Sequence, residues 1–465
     1  MLRLHDTATG TVRPLELRDP GQVSIYACGL TVYDRPHIGH GRGWLVFDVL
    51  RRYLTFGGLD VHYVSNVTDI DDQIISRAAR EGRTEPEVAA EFEADWWAAS
   101  DALGVLRPDH TPHATAYVGD MVALVSKLVD LGVAYQTSTG VYLDVDQVDS
   151  YGLLARQPLE SLRSGARVDI DAEKRSALDF VLWKKAKPGE PTWDSPFGPG
   201  RPGWHTECVV MSLDLLGDGF DLHGGGIDLI FPHHENERAQ AVAESRPFAR
   251  HWVHHGWVMK GDEKMSKSLG NFTTIAELLE NADSRAYRLL VLRSHYRSQI
   301  EVTPETIADA EKGLERLDRL VRRFAVPEIL GLQTNAVAAA AAGREPGVIA
   351  DEIDRFRARM DDDLDTPGAL AWIFDAVNRA HALADAGDEE TGGELAGTVA
   401  VLCAVLGLAL NGSAAEVDRE SQILVDQRDE ARAAGDYGRS DAIRDQLTAR
   451  GWKVEDGPEG TTLSR

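Results

Sequence analysis

Along the first 125 residues, short runs of β-branched and aromatic residues alternate with stretches whose apolar positions recur at helical spacing. Val23 to Ala27 reads as a buried strand, Gly43 to Leu54 as a helix and Asp60 to Asn66 as a second strand. This alternation predicts a parallel, doubly wound α/β sheet with its ligand at the carboxyl ends of the strands. Asp69 is readable as the cap of a helix expected from Gln73. From about Leu131 to Gly200 the pattern breaks into short strands and turns, including Gly140 to Asp144 and a Pro/Gly-rich loop from Lys187 to Gly203. Farther on, Thr274 to Arg297, Thr303 to Phe324 and the chain from Ile349 onward read as helices, with an Ala-rich linker from Ala336 to Gly343. Thr366 and Pro367 suit a helix start, and Cys403 sits in an apolar run typical of core.

The junction between the first strand and helix, Cys28-Gly-Leu-Thr-Val-Tyr-Asp-Arg-Pro-His-Ile-Gly-His40, has the position of a nucleotide site. First-turn amides lack backbone acceptors, and the positive end of a helix attracts phosphate oxygens. Gly39 and Gly41 let a ligand lie against the backbone, while His37 and His40 can donate to charge developing on a phosphate. His-x-Gly-His also occurs in ordinary loops, so a second signal matters. It comes at Gly261 to Phe272, a lysine-bearing loop containing Lys264-Met-Ser-Lys-Ser268 that opens into another helix.

Gly203-Trp-His-Thr-Glu-Cys208 and Pro232-His-His-Glu-Asn-Glu237 supply metal-ligand residue types, and His233 and Glu237 share one face of a helix. With Cys28 they make two thiolates, one imidazole and one carboxylate, a set that suits zinc. No Cys-x-x-Cys pair is present, and the same residues are readable as small buried hydrophobes and satisfied loop histidines.

Composition then sets bounds. The 465 residues, 43% hydrophobic and 27% charged, suggest a soluble globular chain of two to four domains. No apolar run follows Met1 as an export signal would, and Val399 to Leu410 is too short to span a bilayer, so a cytoplasmic protein is expected. Three widely spaced cysteines form no disulfide framework and suit a reducing compartment. A net charge of -26 opposes a nucleic-acid partner at long range. Local basic stretches must answer it: Arg285 to Arg297, Lys312 to Arg323 and Arg428 to Arg450. Each is also readable as a solvated helix face paired with acidic residues.

With His37-Ile-Gly-His40 followed by Lys264-Met-Ser-Lys-Ser268, the chain resembles the class I aminoacyl-tRNA synthetases. Cys28-Gly-Leu-Thr-Val-Tyr-Asp34 and His223-Gly-Gly-Gly-Ile-Asp-Leu-Ile-Phe-Pro-His-His-Glu-Asn-Glu237 resemble the cysteinyl-tRNA synthetase family, through nearly the whole chain; an actinobacterial source is expected. The resemblance implies a Rossmann-type catalytic domain in two halves, 1–125 and 201–272, split by a connective insertion at 126–200 that is too short for an editing domain. A stem-contact region at 273–310, a helical bundle at 311–412 and a small anticodon-recognition domain at 413–465 follow. Asn66 to Asp72 resembles a segment bordering the active site, an alternative to the cap for Asp69.

The activity so implied is ATP-dependent attachment of L-cysteine to its tRNA through cysteinyl adenylate, with magnesium accompanying ATP. One zinc per chain is implied on Cys28, Cys208, His233 and Glu237, with His234 and Glu235 behind these ligands. His37, His40, Lys264 and Lys267 match catalytic residues; Gly39, Gly224, Gly225, Gly226 and Asp228 join His37, His40 and Lys267 around ATP. Cys28, Gly29, Thr31, Trp204 and His233 match the pocket for the substrate cysteine. Zinc has a physical reason to be there: an apolar pocket separates near-isosteres such as cysteine and serine only about 10- to 200-fold. A metal that binds the thiolate draws on the softness of sulfur and makes editing unnecessary. A monomer with no membrane and no stable protein partner is expected.

The runner-up is a related ligase that joins cysteine to glucosaminyl-inositol in mycothiol synthesis. That family ends before any such tail, whereas a tail with Trp452 and several arginines makes sense for reading RNA. An inactive zinc-binding RNA partner would show a broken ATP motif, and both motifs are intact. Leu463 and His255 stand where many relatives have tryptophan and asparagine.

Overall fold

The chain opens with a hairpin of β1 (Arg3–Asp6) and β2 (Thr11–Pro14) and enters β3 (Gln22–Thr31), whose alternation layers the centre of this computed structural model. Val23, Ile25 and Ala27 face one core and Tyr26 the other. The next strand, β4 (Asp60–Thr68), repeats the division, with Val61 and Tyr63 on the first face and Val64 on the second. Strands β9 (Leu222–Gly226) and β10 (His251–His255) complete a parallel four-stranded sheet in the order β10-β9-β3-β4. The structure describes residues 1–156, 173–260, 263–264, 273–326, 349–412, 419–457 and 460–464. The Ala-rich linker and most of the lysine-bearing loop, Lys267 included, lie outside the described residues.

Helix α1 (Ile38–Phe56) covers the first face with Leu45, Val46, Val49 and Leu50. It starts five residues before the predicted Gly43, so the His-Gly-His motif is its first turn. Glycine weakens helical periodicity there, but a capping box between His37 and His40 closes the end. After β4 come α2 (Asp72–Glu81) and α3 (Glu85–Ala102). The cap of α2 is Asp71, not Asp69: Asp71 has the extended backbone of a cap and accepts from the Gln73 amide, whereas Asp69 accepts from the Thr115 amide and hydroxyl.

The second face carries α4 (Val118–Asp130), α5 (Trp204–Leu216) and α6 (Glu235–Ala243). Between α4 and α5 the short strands β5 (Ala134–Gln136), β6 (Gly140–Leu143), β7 (Phe180–Lys185) and β8 (Gly200–Pro202) form an antiparallel sheet. Strands β11 (Val258–Lys260) and β12 (Glu263–Lys264) pair antiparallel, so the backbone of Lys264 is described.

The helix expected from Thr274 to Arg297 is two: α7 (Ile275–Leu279) and α8 (Ser284–Leu292). Asp283 restarts the chain by accepting from the Arg285 amide. A short β13 (Ile300–Glu301) joins β11, and α9 (Pro304–Arg323), α10 (Ala350–Met360), α11 (Thr366–Asp385) and α12 (Glu389–Val405) follow. Asp365, rather than Thr366, caps α11 by accepting from the Gly368 amide, and Pro367 lies in the first turn. Cys403 is fully buried in the core shared with α1.

Most arginines of the basic stretches are paired: Arg285 with Asp283 and Asp318, Arg293 with Asp309, Arg322 with Glu315, Arg323 with Asp385. In the tail, α13 (Arg419–Ala433), α14 (Tyr437–Ala449) and a hairpin of β14 (Lys453–Gly457) and β15 (Gly460–Ser464) enclose Val425, Ile443, Leu447 and Trp452. Trp452 is therefore core rather than a stacking surface; its indole N–H donates to Ser421 Oγ at 2.7 Å. Leu463 packs at the edge of the same cluster. Among the described residues, no helix is long and apolar enough to cross a membrane.

One buried ion network ties α1 to α8. Asp48 accepts from Arg52 Nε at 2.7 Å, Arg288 Nη1 at 2.5 Å and the Leu106 amide at 2.9 Å, and Arg288 also donates to the Leu103, Gly104 and Leu406 carbonyls. Burial alone would raise the Asp48 carboxyl, but Arg288 and Arg52 outweigh it and hold it below the usual range. Removing one partner strands buried charge, so Asp48→Asn is expected to lower stability by about 3–5 kcal/mol. Urea unfolding at neutral pH checks this. Because the folded carboxyl is the stronger acid, its stabilisation is full above the ordinary aspartate value of about 3.9 and is lost as pH falls below it; the variant loses less stability on acidification over that range.

Candidate metal and nucleotide site

Parallel pairing of β3 with β9 sets Ile25 opposite Leu222, Tyr26 opposite His223 and Ala27 opposite Gly224. Cys28 follows Ala27, and a π-type turn (Ile230–His234) brings His233 and Glu237 back over the same strand ends. Cys208 reaches them from the second turn of α5. One donor atom from each of Cys28, Cys208, His233 and Glu237 lies within 4.8 Å of the others. The two Sγ atoms are 3.9 Å apart, Cys208 Sγ is 3.7 Å from His233 Nε2, and that nitrogen is 2.9 Å from Glu237 Oε1. Two sulfurs, an imidazole and a carboxylate converging in a buried space match the chemistry of a zinc site.

The flanking histidines do more than the sequence indicated. His233 Nδ1 is 2.8 Å from His205 Nδ1, and His223 Nε2 is 2.6 Å from Glu237 Oε2. His234 Nε2 sits 3.2 Å from Cys28 Sγ, with its Nδ1 2.8 Å from His254 Nε2. Cys28, His223, His234 and Glu237 thus form a second convergent set, but it offers a single thiol, so the first set is the softer. Partners of this kind orient ligands. His205 and His223 were missed; His205 stands three residues before Cys208 on one helix, a spacing that signals a shared face. Glu235 was expected behind the candidate ligands, yet its carboxylate accepts from the Leu154 amide at 2.7 Å, satisfying a donor of the irregular chain between β6 and β7.

Electrostatics distinguish the two thiols. The Cys208 thiol accepts from Cys28 Sγ and, against its burial, is held at about 6, with His233 assisting. Burial pushes Cys28 well up. Burial also works against a charged His233, but Glu237 beside it raises the ring to about 10. Glu237, despite burial, is held well below the carboxylate range by His223 and His233.

Around this cluster lie the other expected residues. The Trp204 indole, partly exposed, stacks on the His233 ring at 4.0 Å and 27°. Gly29 donates to Asn66 Oδ1 at 2.9 Å, where β3 and β4 shift register; a Cβ there would lie 1.6 Å from the Asn66 carbonyl oxygen. Thr31 ends β3 opposite Thr68. His37 and His40 stack at 3.6 Å, and His40 Nδ1 accepts from the His37 amide, so the neutral ring carries its proton on Nε2 as a donor. Gly39 lies between them in the first turn. Gly224, Gly225 and Gly226 end β9, with Asp228 in the 3-10 turn Ile227–Leu229. Gly224 also has a packing reason, since a Cβ there would meet the Phe47 ring of α1 at 2.2 Å. His255 ends β10 with its ring edge-on to Phe47, and burial lowers it to about 4.

The fold and site define a class I aminoacyl-tRNA synthetase: residues 14–312 match the model for the class I (C) tRNA synthetase catalytic domain, and residues 355–411 match the DALR domain. Solved structures share the fold. A Mycobacterium tuberculosis methionyl-tRNA synthetase in complex with methionyl-adenylate aligns with a TM-score of 0.61 at 16% identity, over 90% of this chain and 96% of that one. A putative arginyl-tRNA synthetase of Campylobacter jejuni aligns at 0.55 and 13%, over 86% of this chain and 95% of that one. Full-length similarity narrows the class. Cysteine–tRNA ligases of Halorhodospira halophila and Chromobacterium violaceum are 45% and 44% identical, each over 100% of both chains. The chain belongs to the cysteine–tRNA ligase family. Similarity that extends through the tail does not favour the amino-sugar ligase.

The thiol asymmetry is directly measurable. In metal-stripped protein, the ultraviolet absorbance of thiolate is expected to show one step near pH 6 that disappears in Cys208→Ser, with Cys28 ionising only far above the ordinary thiol value of about 8.5.

Proposed function

We propose that this chain attaches L-cysteine to its tRNA in two ATP-dependent steps, and that Cys28, Cys208, His233 and Glu237 hold the zinc that selects the amino acid. The convergence of these four donors within 4.8 Å carries the proposal, supported by the family to which the chain belongs. Bound there, zinc would supply a soft Lewis acid for the substrate sulfur, which a serine hydroxyl matches poorly. Trp204, Thr31 and Gly29 would line the small pocket around the side chain.

In the first step a carboxylate oxygen of cysteine attacks the α-phosphorus of ATP in line. The bond to the bridging oxygen breaks, and pyrophosphate leaves with the electron pair. His40 Nε2–H, aimed by the cap at Nδ1, donates with His37 to charge growing on the α-phosphate. Lys264 and Lys267 neutralise the leaving pyrophosphate, with magnesium accompanying ATP. Gly39 admits the phosphates to the α1 amides, and Gly224, Gly225, Gly226 and Asp228 receive adenine and ribose. In the second step the terminal adenosine hydroxyl of the tRNA attacks the cysteinyl carbonyl, losing its proton as AMP departs.

The domain division is part of the proposal: catalytic halves at 1–125 and 201–272, insertion at 126–200, stem contact at 273–310, bundle at 311–412 and anticodon recognition at 413–465. The enzyme would work as a cytoplasmic monomer without membrane or stable protein partner. An actinobacterial source remains our expectation from the sequence.

Cysteine-dependent ATP–pyrophosphate exchange, beside transfer of labelled cysteine to tRNA and to glucosaminyl-inositol, tests this. Exchange with transfer to tRNA alone is expected; transfer only to the amino sugar, or no exchange, overturns it. Cys208→Ala is expected to lose bound zinc by elemental analysis and to lower exchange by about two to three orders of magnitude.

A further inference from the structure

Two residues beyond His40, the Arg42 side chain is only 1% exposed, and among the described residues it has no carboxylate partner. Its guanidinium instead donates to backbone carbonyls of a different part of the chain. Nη1 reaches the Trp257 oxygen at 2.6 Å; Nη2 reaches the Tyr296 oxygen at 3.1 Å, the Ser298 oxygen, and the His295 oxygen more weakly at 3.5 Å. A buried cation without a counter-ion is expensive, and burial lowers this guanidinium to about 10. Only a planar fork with several donors can gather carbonyls from two strands of chain at once.

What those carbonyls belong to gives the arrangement its meaning. Trp257 immediately precedes β11, the strand that leads into the lysine-bearing segment. The same stretch is strapped to residues 296–300 by Gly256 N–H to the Tyr296 oxygen at 2.9 Å and Ile300 N–H to the Trp257 oxygen at 3.0 Å. The far end of the segment returns to the same helix: Ile38 N–H donates to the Thr273 oxygen at 3.1 Å and Ile275 N–H to the Pro36 oxygen at 3.0 Å. The described residues that flank 261–272, Trp257 before it and Thr273 and Ile275 after it, are therefore bonded to the start of α1 and the residues just before it. Ile38 and Arg42 are four residues apart on that helix, about 6 Å along its axis.

We propose that Arg42 is a positioning residue for the nucleotide step: it fixes Trp257 and the start of β11, the described chain that precedes the lysine-bearing segment, to the helix that presents His37 and His40. This rests on the proposed function, which assigns those residues to ATP. The cysteine pocket stands on β3, α5, the turn Ile230–His234 and α6, to none of which the Arg42 guanidinium is hydrogen-bonded, so Arg42 governs the nucleotide and not the amino acid.

Wild-type, Arg42→Gln and Arg42→Ala proteins, with full zinc content verified, decide this by two readouts. In cysteine-dependent exchange, Arg42→Gln is expected to raise KM for ATP about tenfold while KM for cysteine stays within about twofold. Millimolar guanidinium, against a sodium chloride control, restores part of the loss in Arg42→Ala. In hydrogen exchange, the Gly256 and Ile300 amides exchange at least about tenfold faster in the variant, whereas those of β3 and β4 keep their rates. Should Arg42→Gln not fold, Arg42→Lys, which keeps the charge but gathers its donors on one atom, is read the same way. Unchanged KM for ATP, an equal rise for both substrates, absence of guanidinium rescue, or faster exchange throughout the sheet would each overturn the proposal. A wild-type protein with no exchange activity would overturn the proposed function instead, and the amide rates would still judge the strap.

Discussion

Three residue pairs hold β3 beside β9, and that register sets Cys28 at the end of β3 level with the end of β9, from which the chain turns into His233 and Glu237. Cys28 and Cys208 are 180 positions apart in the chain, yet their sulfurs lie 3.9 Å from each other because α5 packs on the sheet face at the carboxyl end of β3 and presents Cys208 from its second turn. A slip of one residue would send Cys28 to the opposite face of the sheet and dissolve the cluster. The register is secured by what each face buries: Ile25 and Leu222 on one side, Tyr26 on the other, all fully buried. Asp221, accepting from the Ser24 amide and hydroxyl, locks the same two strands from their entry ends.

Helix α1 is the second shared element. Its first turn is closed by its own histidines, which couples the shape of the helix end to the tautomer of His40. Its middle carries Asp48, whose two arginines draw in α8 and the chain near Leu406. Such a buried network adds little net stability over an apolar core, yet the loss of any one member leaves the others as uncompensated buried charge. The core around α1 runs without a break into α9 to α12, so the helical region is packed on the catalytic sheet rather than merely tethered to it.

Charge is organised differently outside and inside. The net charge of -26 coexists with arginines that are mostly neutralised pairwise on the surface. Inside, histidines serve as neutral hydrogen-bonding groups: His205, His234 and His254 are all driven well below their ordinary value by burial. His233 goes the other way because Glu237, which also faces His223, lies beside it. Neutral imidazoles can pass hydrogen bonds from ring to ring, and the series Cys28, His234, His254, Thr7 does so from the cluster to the turn after β1.

What was legible beforehand and what was not divides along physical lines. Strand and helix periodicities are local, so the βαβ opening, its parallel sheet and the helical second half could be read from spacing. Motif residues such as His37, His40, Cys208, His233 and Glu237 could be named because their chemistry is intrinsic to residue type. Boundaries were misjudged where a cap decided them: Asp71 instead of Asp69, Asp365 instead of Thr366, and the break at Asp283 inside an apparently continuous helix, since capping depends on a few dihedral angles that periodicity does not record. Trp452 looked available for stacking because its burial depends on two helices and a hairpin closing over it. Residue order and local periodicity were enough for the element types and for the order of the motifs, because both are properties of neighbouring positions. Folding in three dimensions set His205 beside His233, His223 beside Glu237, Glu235 on the Leu154 amide and Arg42 across two distant stretches, because long-range contacts of buried side chains leave no periodic trace in the chain.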